Sequence, residues 1–181
     1  MKNPTTLEEF KTYASLIMQK RFQFKCNRGI THTLSANSIG YKGSIEDLGK
    51  RTLGRCSYGK KVIYMSKTYV RLNIENHSKY VIDTLLHEIA HAFTGHVYSD
   101  RSINAHGKEW KHIARQIGAS PTSSKNLKAL GMKTEQAKYT AVCWDCGREY
   151  ERDRKSKRSS SCSGHGKGFK IEYLLEYKQN Y

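Results

Sequence analysis

The sequence predicts an α+β domain with a small antiparallel sheet, followed by a short tail folded around a metal. Three stretches have apolar residues at helical spacing, at 5–21, 79–95 and 105–118. Two others, at 21–35 and 53–66, alternate apolar and polar residues as strands do. Cysteine and histidine pairs with the spacing of zinc ligands lie in the last quarter of the chain. The 181 residues allow one ordinary domain plus a small appendage.

The first helix and the first strand pair are predicted near the N-terminus. Thr5 precedes Glu8, and Thr6 precedes Glu9, at the spacing of a capping box, which predicts a helix start there. The alternating stretch that follows is interrupted at residues 27–29 by Asn-Arg-Gly. We therefore expect two strands joined by a turn.

A second strand pair is predicted at 53–58 and 62–66, on either side of a turn at 59–61. Residues 37–51 are rich in glycine, serine and charge, and we interpret them as a loop. Residues 69–74 are expected to form a short extended piece that leads into the next helix.

Two further helices are predicted in the second half of the chain. One covers 79–95 and ends at Gly95, and the other covers 105–118. We place the domain boundary after the second of these helices and a polar linker. This gives a domain of residues 1–135 and a tail of residues 136–181.

The chain is strongly basic. It has 32 lysine and arginine residues against 16 acidic ones, a formal net charge of +16, and a pI near 9.7. Such a charge attracts polyanions, of which nucleic acid is the usual one. No run reaches the roughly 18 apolar residues that a membrane span needs, and no helix combines a basic face with a strong apolar face. We therefore expect nucleic acid as a partner and no membrane association. We also expect a monomer.

The cysteines and the N-terminal residues bear on the cellular compartment. Five cysteines, an odd number, argue against a disulfide framework, and the first residues lack the apolar stretch of a secretory signal. We expect a reducing compartment, with the protein cytoplasmic or nucleoid-associated. Cys26 and Cys56 are interpreted as small core residues.

The most informative local pattern is His87-Glu88-Ile89-Ala90-His91. Histidines four apart on a helix lie on one face, one turn apart, where a single Zn²⁺ can bind both. Glu88 can reach a water at such a metal without binding the metal itself. This is the H-E-x-x-H arrangement of zinc hydrolases, in which the glutamate is the general base. The pattern predicts a catalytic zinc site with Glu88 as the catalytic residue.

A catalytic zinc normally takes three protein ligands, and three histidines after His91 are candidates for the third. His96 lies on another side of the same helix. His106 opens the next helix, which Trp110 can anchor to the core. His112 points away from His106 on that helix. We therefore favour His106 over His96.

A second zinc site is predicted in the tail. Cys143 and Cys146 form one pair, and Cys162 and His165 form another with the same two-residue gap. Each pair offers two ligands to one ion, and four ligands close a tetrahedral structural site. With no open position, this zinc would fold the tail, which is too small to be held together by core burial.

The loop between these two pairs is predicted to contact nucleic acid. Basic residues beside aromatic ones suit a surface that tracks a strand or stacks on bases, although a charge run is often only a solvated loop. The predicted contacts are Arg148, Arg152, Arg154, Lys155, Lys157, Arg158, Trp144 and Tyr150.

These motifs together resemble the SprT-like zinc metalloprotease family. The segments that carry the resemblance are 87–92 (His-Glu-Ile-Ala-His-Ala), 104–110 (Asn-Ala-His-Gly-Lys-Glu-Trp), and a Cys-x-x-Cys after a short linker. The resemblance is clearest over residues 78–165. The family includes the Spartan proteases, which digest proteins crosslinked to DNA. Its members that carry such a tail usually have four cysteines, so His165 departs from the pattern.

The resemblance implies a compact zincin-like α+β fold with an active-site H-E-x-x-H helix and a C-terminal zinc ribbon. It implies that His87, His91 and His106 hold the zinc and that Glu88 is the catalytic glutamate. It also implies DNA-stimulated, sequence-tolerant cleavage of DNA-bound proteins.

We therefore expect a metalloprotease with two zinc sites, one catalytic and one structural, that acts on DNA-bound or DNA-crosslinked proteins. The competing hypothesis is a non-catalytic nucleic-acid-binding protein in which both metals are structural. Glu88 favours the enzyme, because a purely structural site has no need of a carboxylate at that position.

Overall fold

Helix α2 (Lys67–Tyr98) is the longest of the described elements. The structure is a computed structural model that describes residues 2–49, 52–98, 104–122, 130, 138–152, 154–156, 159–166 and 168–180. Its contacts divide into two units, Met1–Lys133 and Thr134–Tyr181. None of the helices in these ranges is both long and apolar enough to cross a membrane.

The two units together form a mixed α+β fold with small sheets. The other helices of the first unit are α1 (Leu7–Gln19) and α3 (Lys108–Ile117). Its strands are β1 (Phe22–Lys25), β2 (Thr31–Leu34), β3 (Lys42–Glu46), β4 (Gly54–Ser57) and β5 (Val62–Ser66). The strands of the second unit are β6 (Tyr139–Cys143), β7 (Glu149–Arg152) and β8 (Leu175–Gln179).

Helix α1 begins where the capping pattern predicts. Thr6 is its N-cap and accepts a hydrogen bond from the Glu9 amide at 3.2 Å. Glu9 reaches back to Thr5, whose amide and hydroxyl donate to its Oε2 at 2.7 and 3.0 Å. The buried face of the helix consists of Phe10, Ile17 and Met18. The predicted first helix is confirmed.

Strands β1 and β2 form the predicted hairpin. Phe22 pairs with Leu34, and Lys25 pairs with Thr31, in antiparallel register. Gly29 has a φ of 82°, a left-handed conformation that glycine adopts without strain. The Asn-Arg-Gly turn therefore joins the two strands as the sequence predicts.

The second sheet, with strand order β3-β5-β4, differs from the predicted one. β4 and β5 form the expected antiparallel pair, but β3 joins β5 in parallel, with Lys42 opposite Val62 and Glu46 opposite Ser66. The prediction of a purely antiparallel sheet is therefore wrong, and residues 37–51 contain a strand where a loop was expected. The cause is the composition of β3, whose single isoleucine gives no apolar alternation.

Helix α2 starts well before the predicted residue 79, so the prediction for 69–74 is wrong. It begins at Lys67 and bends at His77, whose φ of −134° and ψ of 31° are not helical. A short apolar run does not distinguish a strand from a buried helix by its period. In the helix, the buried side chains of this stretch lie on one face: Tyr69, Val70, Asn73 and Ile74.

Gly95 does not end α2, contrary to the prediction, since the helix continues to Tyr98. A Cβ at position 95 would lie 2.6 Å from Cε1 of Tyr58. Glycine therefore accommodates the Tyr58 ring against the helix backbone. The predicted third helix begins later than expected, at Lys108, so His106 lies in the turn before it.

The core of the first unit forms around α2, which contacts α1, α3, β4 and β5, and its second half is deeply buried. The most deeply buried apolar side chains of this half are Val81, Leu85, Ile89 and Phe93. Trp110 and Ile113 of α3 are also fully buried. A helix packed on several sides holds its polar side chains in fixed positions.

In the second unit, β6 pairs with β7 on one side and with β8 on the other, both antiparallel. Cys143 ends β6, and Gly147, with a φ of 66°, lets the chain turn back into β7. Cys162 precedes a single 3₁₀ turn, Ser163–His165. The two predicted ligand pairs therefore lie in turns.

Candidate metal centres

The Nε2 atoms of three histidines meet beside α2. His87 and His91 lie one turn apart on the helix, and their Nε2 atoms are 3.2 Å apart. His106 brings its Nε2 to 3.1 Å from each of them. The structure therefore groups the two helical histidines with the third one that the sequence favours. His96 is exposed and is not in this group.

The spacing of these nitrogens fits a metal ion. Ligand nitrogens at about 2.0–2.1 Å from a tetrahedral Zn²⁺ are about 3.3 Å from one another. Hydrogen bonds cannot pair all three, because each pair needs one protonated and one unprotonated nitrogen. A single cation satisfies all three lone pairs at once. The residues therefore fit a zinc ion with three protein ligands and one remaining tetrahedral position.

The indole of Trp110 contacts all three histidine rings. Its centroid lies 4.6 Å from that of His87, 5.3 Å from that of His91 and 4.7 Å from that of His106. The side chain is fully buried. The sequence predicts only that Trp110 anchors α3 to the core. Its position four residues after His106 is the signal that could have placed it under the ligands.

A tight turn before α3 positions His106. Its amide donates to Asn104 Oδ1 at 3.3 Å, and the Gly107 amide donates to the Asn104 carbonyl at 2.8 Å. A Cβ on Gly107 would lie 3.0 Å from that carbonyl oxygen, so glycine allows the turn to close. His112 lies away from the site, with its Nε2 2.8 Å from the Lys25 carbonyl oxygen.

Glu88 lies next to the ligands along α2 and faces strand β4. Its side chain is almost fully buried, with 7% of the residue exposed. A Cβ at Gly54 would lie 3.0 Å from Cγ and 3.1 Å from Oε1 of Glu88. The backbone of β4 therefore packs directly against the carboxylate, and a side chain at position 54 would press on it.

The surroundings keep the histidines neutral. Burial, and then the neighbouring His87 and His106, lower the pKa of His91 to about 3. Burial also lowers the pKa of His106, and the positive charge of Lys111 adds to the effect. A neutral imidazole is the form that binds a metal. The site is therefore ready to bind a cation at neutral pH.

Two residues near Glu88 are not revealed by any sequence motif. Cys56 is partly buried, and burial followed by the charge of Glu88 raises the pKa of its thiol to about 12. Burial, then Cys56 and Glu88, raises the pKa of Tyr58 to about 12. Both groups therefore stay protonated at neutral pH. Their alternation with Gly54, along β4 and the residue that follows it, is the signal that could have placed them on one face.

The four predicted tail ligands form a second group, whose ligand atoms all lie within 4.8 Å of one another. Cys143 Sγ is 3.6 Å from His165 Nε2, and Cys146 Sγ is 3.7 Å from Cys162 Sγ. Sulfur atoms at about 2.3 Å from a tetrahedral Zn²⁺ are about 3.7–3.8 Å apart. These residues therefore fit a zinc ion with no open position.

Neighbouring groups orient the ligands of this cluster. The Tyr150 hydroxyl lies 3.0 Å from Cys162 Sγ, and the Gly164 amide donates to the same sulfur at 3.4 Å. The Tyr150 hydroxyl is the main cause of the lowered pKa of Cys162, about 7. The His165 ring stacks on Tyr173, with centroids 3.9 Å apart. Such contacts fix the ligand geometry and favour the thiolate.

The residues predicted to contact nucleic acid differ in their surroundings. Trp144 is 77% exposed. Arg152 lies over the ring of Tyr150 at 5.2 Å, and Lys155 lies over the ring of Tyr139 at 5.5 Å. Tyr150 therefore presents its hydroxyl to the cluster and its ring to an arginine.

The other predicted contacts lie in the same loop. Arg148 packs against the second ligand pair, since a Cβ on Gly164 would lie 2.6 Å from its Nη1. Arg154 is exposed. Lys157 and Arg158 lie outside the described residues.

Comparison with known proteins identifies a family. A model described as the SprT-like family matches residues 10–130, a range that includes the three histidines, Glu88 and Trp110 and ends before the tail cysteines. No curated protein and no solved structure matches the chain. The family match covers more than half of the 181 residues. The chain therefore belongs to the SprT-like family.

Proposed function

We propose that this protein is a zinc metalloprotease with a zincin-like catalytic domain and a C-terminal zinc ribbon. The observation that carries the proposal is the convergence of His87, His91 and His106, with Nε2 separations of 3.1–3.2 Å, next to the buried Glu88. Three protein ligands leave one coordination position open, which distinguishes catalytic from structural zinc sites.

The residues of the site have separate roles in peptide hydrolysis. A zinc ion held by the three histidines supplies Lewis acidity, which polarises a carbonyl and acidifies water. Glu88 accepts a proton from the attacking water and passes it to the leaving amine. The packing of Gly54 against Glu88 limits the movement of the carboxylate.

Strand β4 supports a role in holding an extended peptide. It pairs with β5 on one side, and no described strand pairs with its other edge. An exposed strand edge binds an extended chain through main-chain hydrogen bonds, which is tolerant of sequence. Because Gly54 lies in this strand, a peptide added to that edge would run past Glu88.

DNA-bound or DNA-crosslinked proteins are the substrates that we propose. The chain carries a net charge of +16, and its tail presents an exposed tryptophan among arginine and lysine residues. Basic residues bind phosphates, and an exposed indole offers a stacking surface for bases. We propose that the protein is a cytoplasmic or nucleoid-associated monomer that reaches its substrates through DNA.

The test of this function is the substitution Glu88→Gln. Removing the general base should lower the rate of cleavage of a DNA-bound protein by about 10²–10⁴-fold. Zinc content, measured by native mass spectrometry, should stay at two ions per chain. Glu75→Gln, the same change at an exposed position of α2, serves as the matched control. Undiminished proteolysis by Glu88→Gln would refute the catalytic assignment.

The DNA requirement has its own test. Cleavage by the native protein should rise when DNA is added and fall as salt is raised, because phosphate contacts weaken with ionic strength. A cleavage rate that changes with neither DNA nor salt concentration would contradict the proposed substrate class. A chain that binds DNA but cleaves no protein under any condition would support the non-catalytic alternative.

A further inference from the structure

Helix α3 presents a largely basic surface to solvent, with an exposed uncharged Gln116 and with Glu109 Oε1 4.0 Å from Lys108 Nζ. Lys108, Lys111 and Arg115 are exposed and lie at successive positions of one helical face. The opposite face is buried through Trp110, Ile113, Ala114 and Ile117. None of the large exposed apolar side chains of the described residues lies on this helix. The helix itself therefore has no apolar anchor of the kind that a protein partner would use, and the exposed Ile30 lies in the neighbouring β1–β2 hairpin.

The β1–β2 hairpin is fixed beside this helix through the backbone of Lys25. The Lys25 carbonyl oxygen lies 2.8 Å from His112 Nε2 and accepts a hydrogen bond from Gln116 Nε2 at 2.9 Å. The Lys25 amide donates to Gln116 Oε1 at 2.8 Å. These contacts join two elements that are distant in sequence, because the bonded residues are 87 and 91 positions apart.

The hairpin adds two more cations. Lys25 and Arg28 are exposed, and the Arg28 guanidinium lies over the ring of Tyr98 at 5.7 Å. The Tyr98 hydroxyl accepts a hydrogen bond from the Asn27 amide at 2.9 Å, which fixes the turn on the end of α2. The hairpin contains no acidic residue, and the only acid of α3 is the partly buried Glu109.

We propose that Lys25, Arg28, Lys108, Lys111 and Arg115 form a DNA-binding surface of the catalytic unit, here called the α3 basic face. The partner is the phosphate backbone of DNA, and this choice of polyanion rests on the proposed function. The three α3 cations span about 10 Å of helix, which matches about three successive phosphates of one strand.

The position of this face explains its use. Helix α3 starts two residues after His106, so its first basic residue lies beside the metal ligands along the chain. DNA bound on α3 would lie next to the site that cleaves the peptide.

The experiment removes three of these charges. The full zinc-loaded chain carrying Lys108→Gln, Lys111→Gln and Arg115→Gln is titrated against a fluorescein-labelled DNA duplex by anisotropy over a range of salt concentrations. Each lost phosphate contact lowers the slope of log K against log salt by about 0.9. We expect a slope smaller by about 2 to 3, and at least about tenfold weaker binding at low salt.

The matched control has Lys42→Gln, Lys67→Gln and Arg71→Gln, the same change in charge on β3 and the start of α2. This control variant should lower the slope of log K against log salt by less than about 0.9, the value for one phosphate contact. Unchanged zinc content and melting temperature establish that both variants are folded. Equal slopes for the two variants would overturn the proposal. So would a competition experiment in which polyglutamate of matched charge displaces DNA from the native chain as well as unlabelled duplex does.

The outcome is separable from the proposed function. If the α3 variant binds DNA as the native chain does and both cleave protein, the α3 basic face is refuted and the protease stands. If the native chain binds DNA through this face but cleaves no protein, the face stands and the protease is refuted.

Discussion

At the scale of single residues, Trp110 has a larger role than anchoring a helix. Its ring lies within 5.3 Å, centroid to centroid, of all three histidines that fit a zinc ion. The three ligands come from two separate elements, and one fully buried side chain contacts every one of them. Groups that orient ligands without touching the metal commonly change metal affinity by 10- to 100-fold when removed.

We predict that Trp110→Leu weakens zinc binding at the three-histidine site by about 10- to 100-fold. The smaller side chain leaves a cavity under the rings, and unfolding should also become easier by about 3 kcal/mol or more. Competition with a chromophoric chelator measures the affinity, and urea unfolding measures the stability.

The control for this substitution is Trp144→Leu, the same change at a tryptophan that is 77% exposed. It should leave the affinity of the three-histidine site unchanged. Trp110→Phe keeps a ring under the histidines and should restore most of the affinity. Native zinc affinity in Trp110→Leu would show that the indole only fills space.

A pH dependence follows from the buried His91. Its pKa is about 3 in the folded chain against an ordinary value of 6.5, so the unfolded chain takes up the proton first as pH falls. In the zinc-free protein, the stabilisation is complete above about pH 6.5 and is lost as pH falls towards about 3. The free energy of unfolding should drop by up to about 1.4 kcal/mol per pH unit in that window.

Urea unfolding of the zinc-free protein at a series of pH values tests this expectation. His91→Gln removes the titrating group, so its stability should fall less steeply over the same range. If the two proteins show the same slope, protonation of His91 is not what destabilises the chain in acid.

At the scale of elements, α2 and β4 together form the wall of the candidate site that contains Glu88. β4 packs Gly54 against Glu88, and the residue after the strand, Tyr58, packs against Gly95 of the helix. Two glycines, one on each element, therefore permit the two backbones to run side by side. The position of Glu88, the proposed general base, depends on this close packing as much as on its own helix.

We predict that Gly54→Ala lowers proteolysis about ten- to hundredfold while zinc stays bound. The new Cβ would lie 3.0 Å from Glu88 Cγ and 3.2 Å from Thr84 Cγ2, so the carboxylate must shift. Displacements of about 1 Å at a reacting group cost on this order. Gly59→Ala is the control, because nothing lies within 4 Å of its Cβ. Loss of zinc in Gly54→Ala would show instead that the helix itself has moved.

The helices were the predictable elements, and their exceptions have physical causes. The spacing of His87 and His91 required a helix, and the apolar period supplied one. The first half of α2 is rich in residues that also favour strands, and β3 has almost no apolar residue. Tertiary packing determines both the helical conformation of the first half of α2 and the strand conformation of β3. Neither is visible in the local sequence pattern.

At the scale of the whole molecule, the described residues contain two groups of side chains that each fit a metal ion but differ in the number of protein ligands. The three histidines would leave one position of a tetrahedral metal open. The group of three cysteines and one histidine would fill all four positions. The second unit, Thr134–Tyr181, is too small to be held by apolar burial alone. Its folding energy should therefore come mainly from its metal.

We predict that Cys162→Ser lowers the zinc content from two ions to one and unfolds the second unit. The Tyr150 hydroxyl and the Gly164 amide lose the sulfur they contact, and a four-ligand site loses one ligand. Metal analysis gives the count, and heteronuclear NMR spectra show which residues lose dispersion.

Cys56→Ser is the control for that prediction, since Cys56 belongs to neither ligand group among the described residues. It should retain two zinc ions. A folded second unit in Cys162→Ser without its zinc would show that strands β6 to β8 are stable on their own.

The site was more predictable than its surroundings. The ligand residues can be read from spacing because a metal imposes a fixed geometry on side chains. Gly54, Cys56, Tyr58 and the contacts of Trp110 have only a weak local signal, their spacing in the sequence. Their roles depend on which strand packs against which face of α2. That choice is made by contacts between distant parts of the chain.

The attachment of α3 to the β1–β2 hairpin also has a consequence for how the metal is acquired. His87 and His91 become neighbours as soon as one turn of helix forms, which takes about a microsecond or less. His106 reaches them only when α3 docks, and that docking uses contacts between Lys25 and Gln116, 91 residues apart. Contacts at such separation form late in folding. A folding chain should therefore offer zinc a weak pair of ligands first, and full retention of the ion should report that the hairpin has docked.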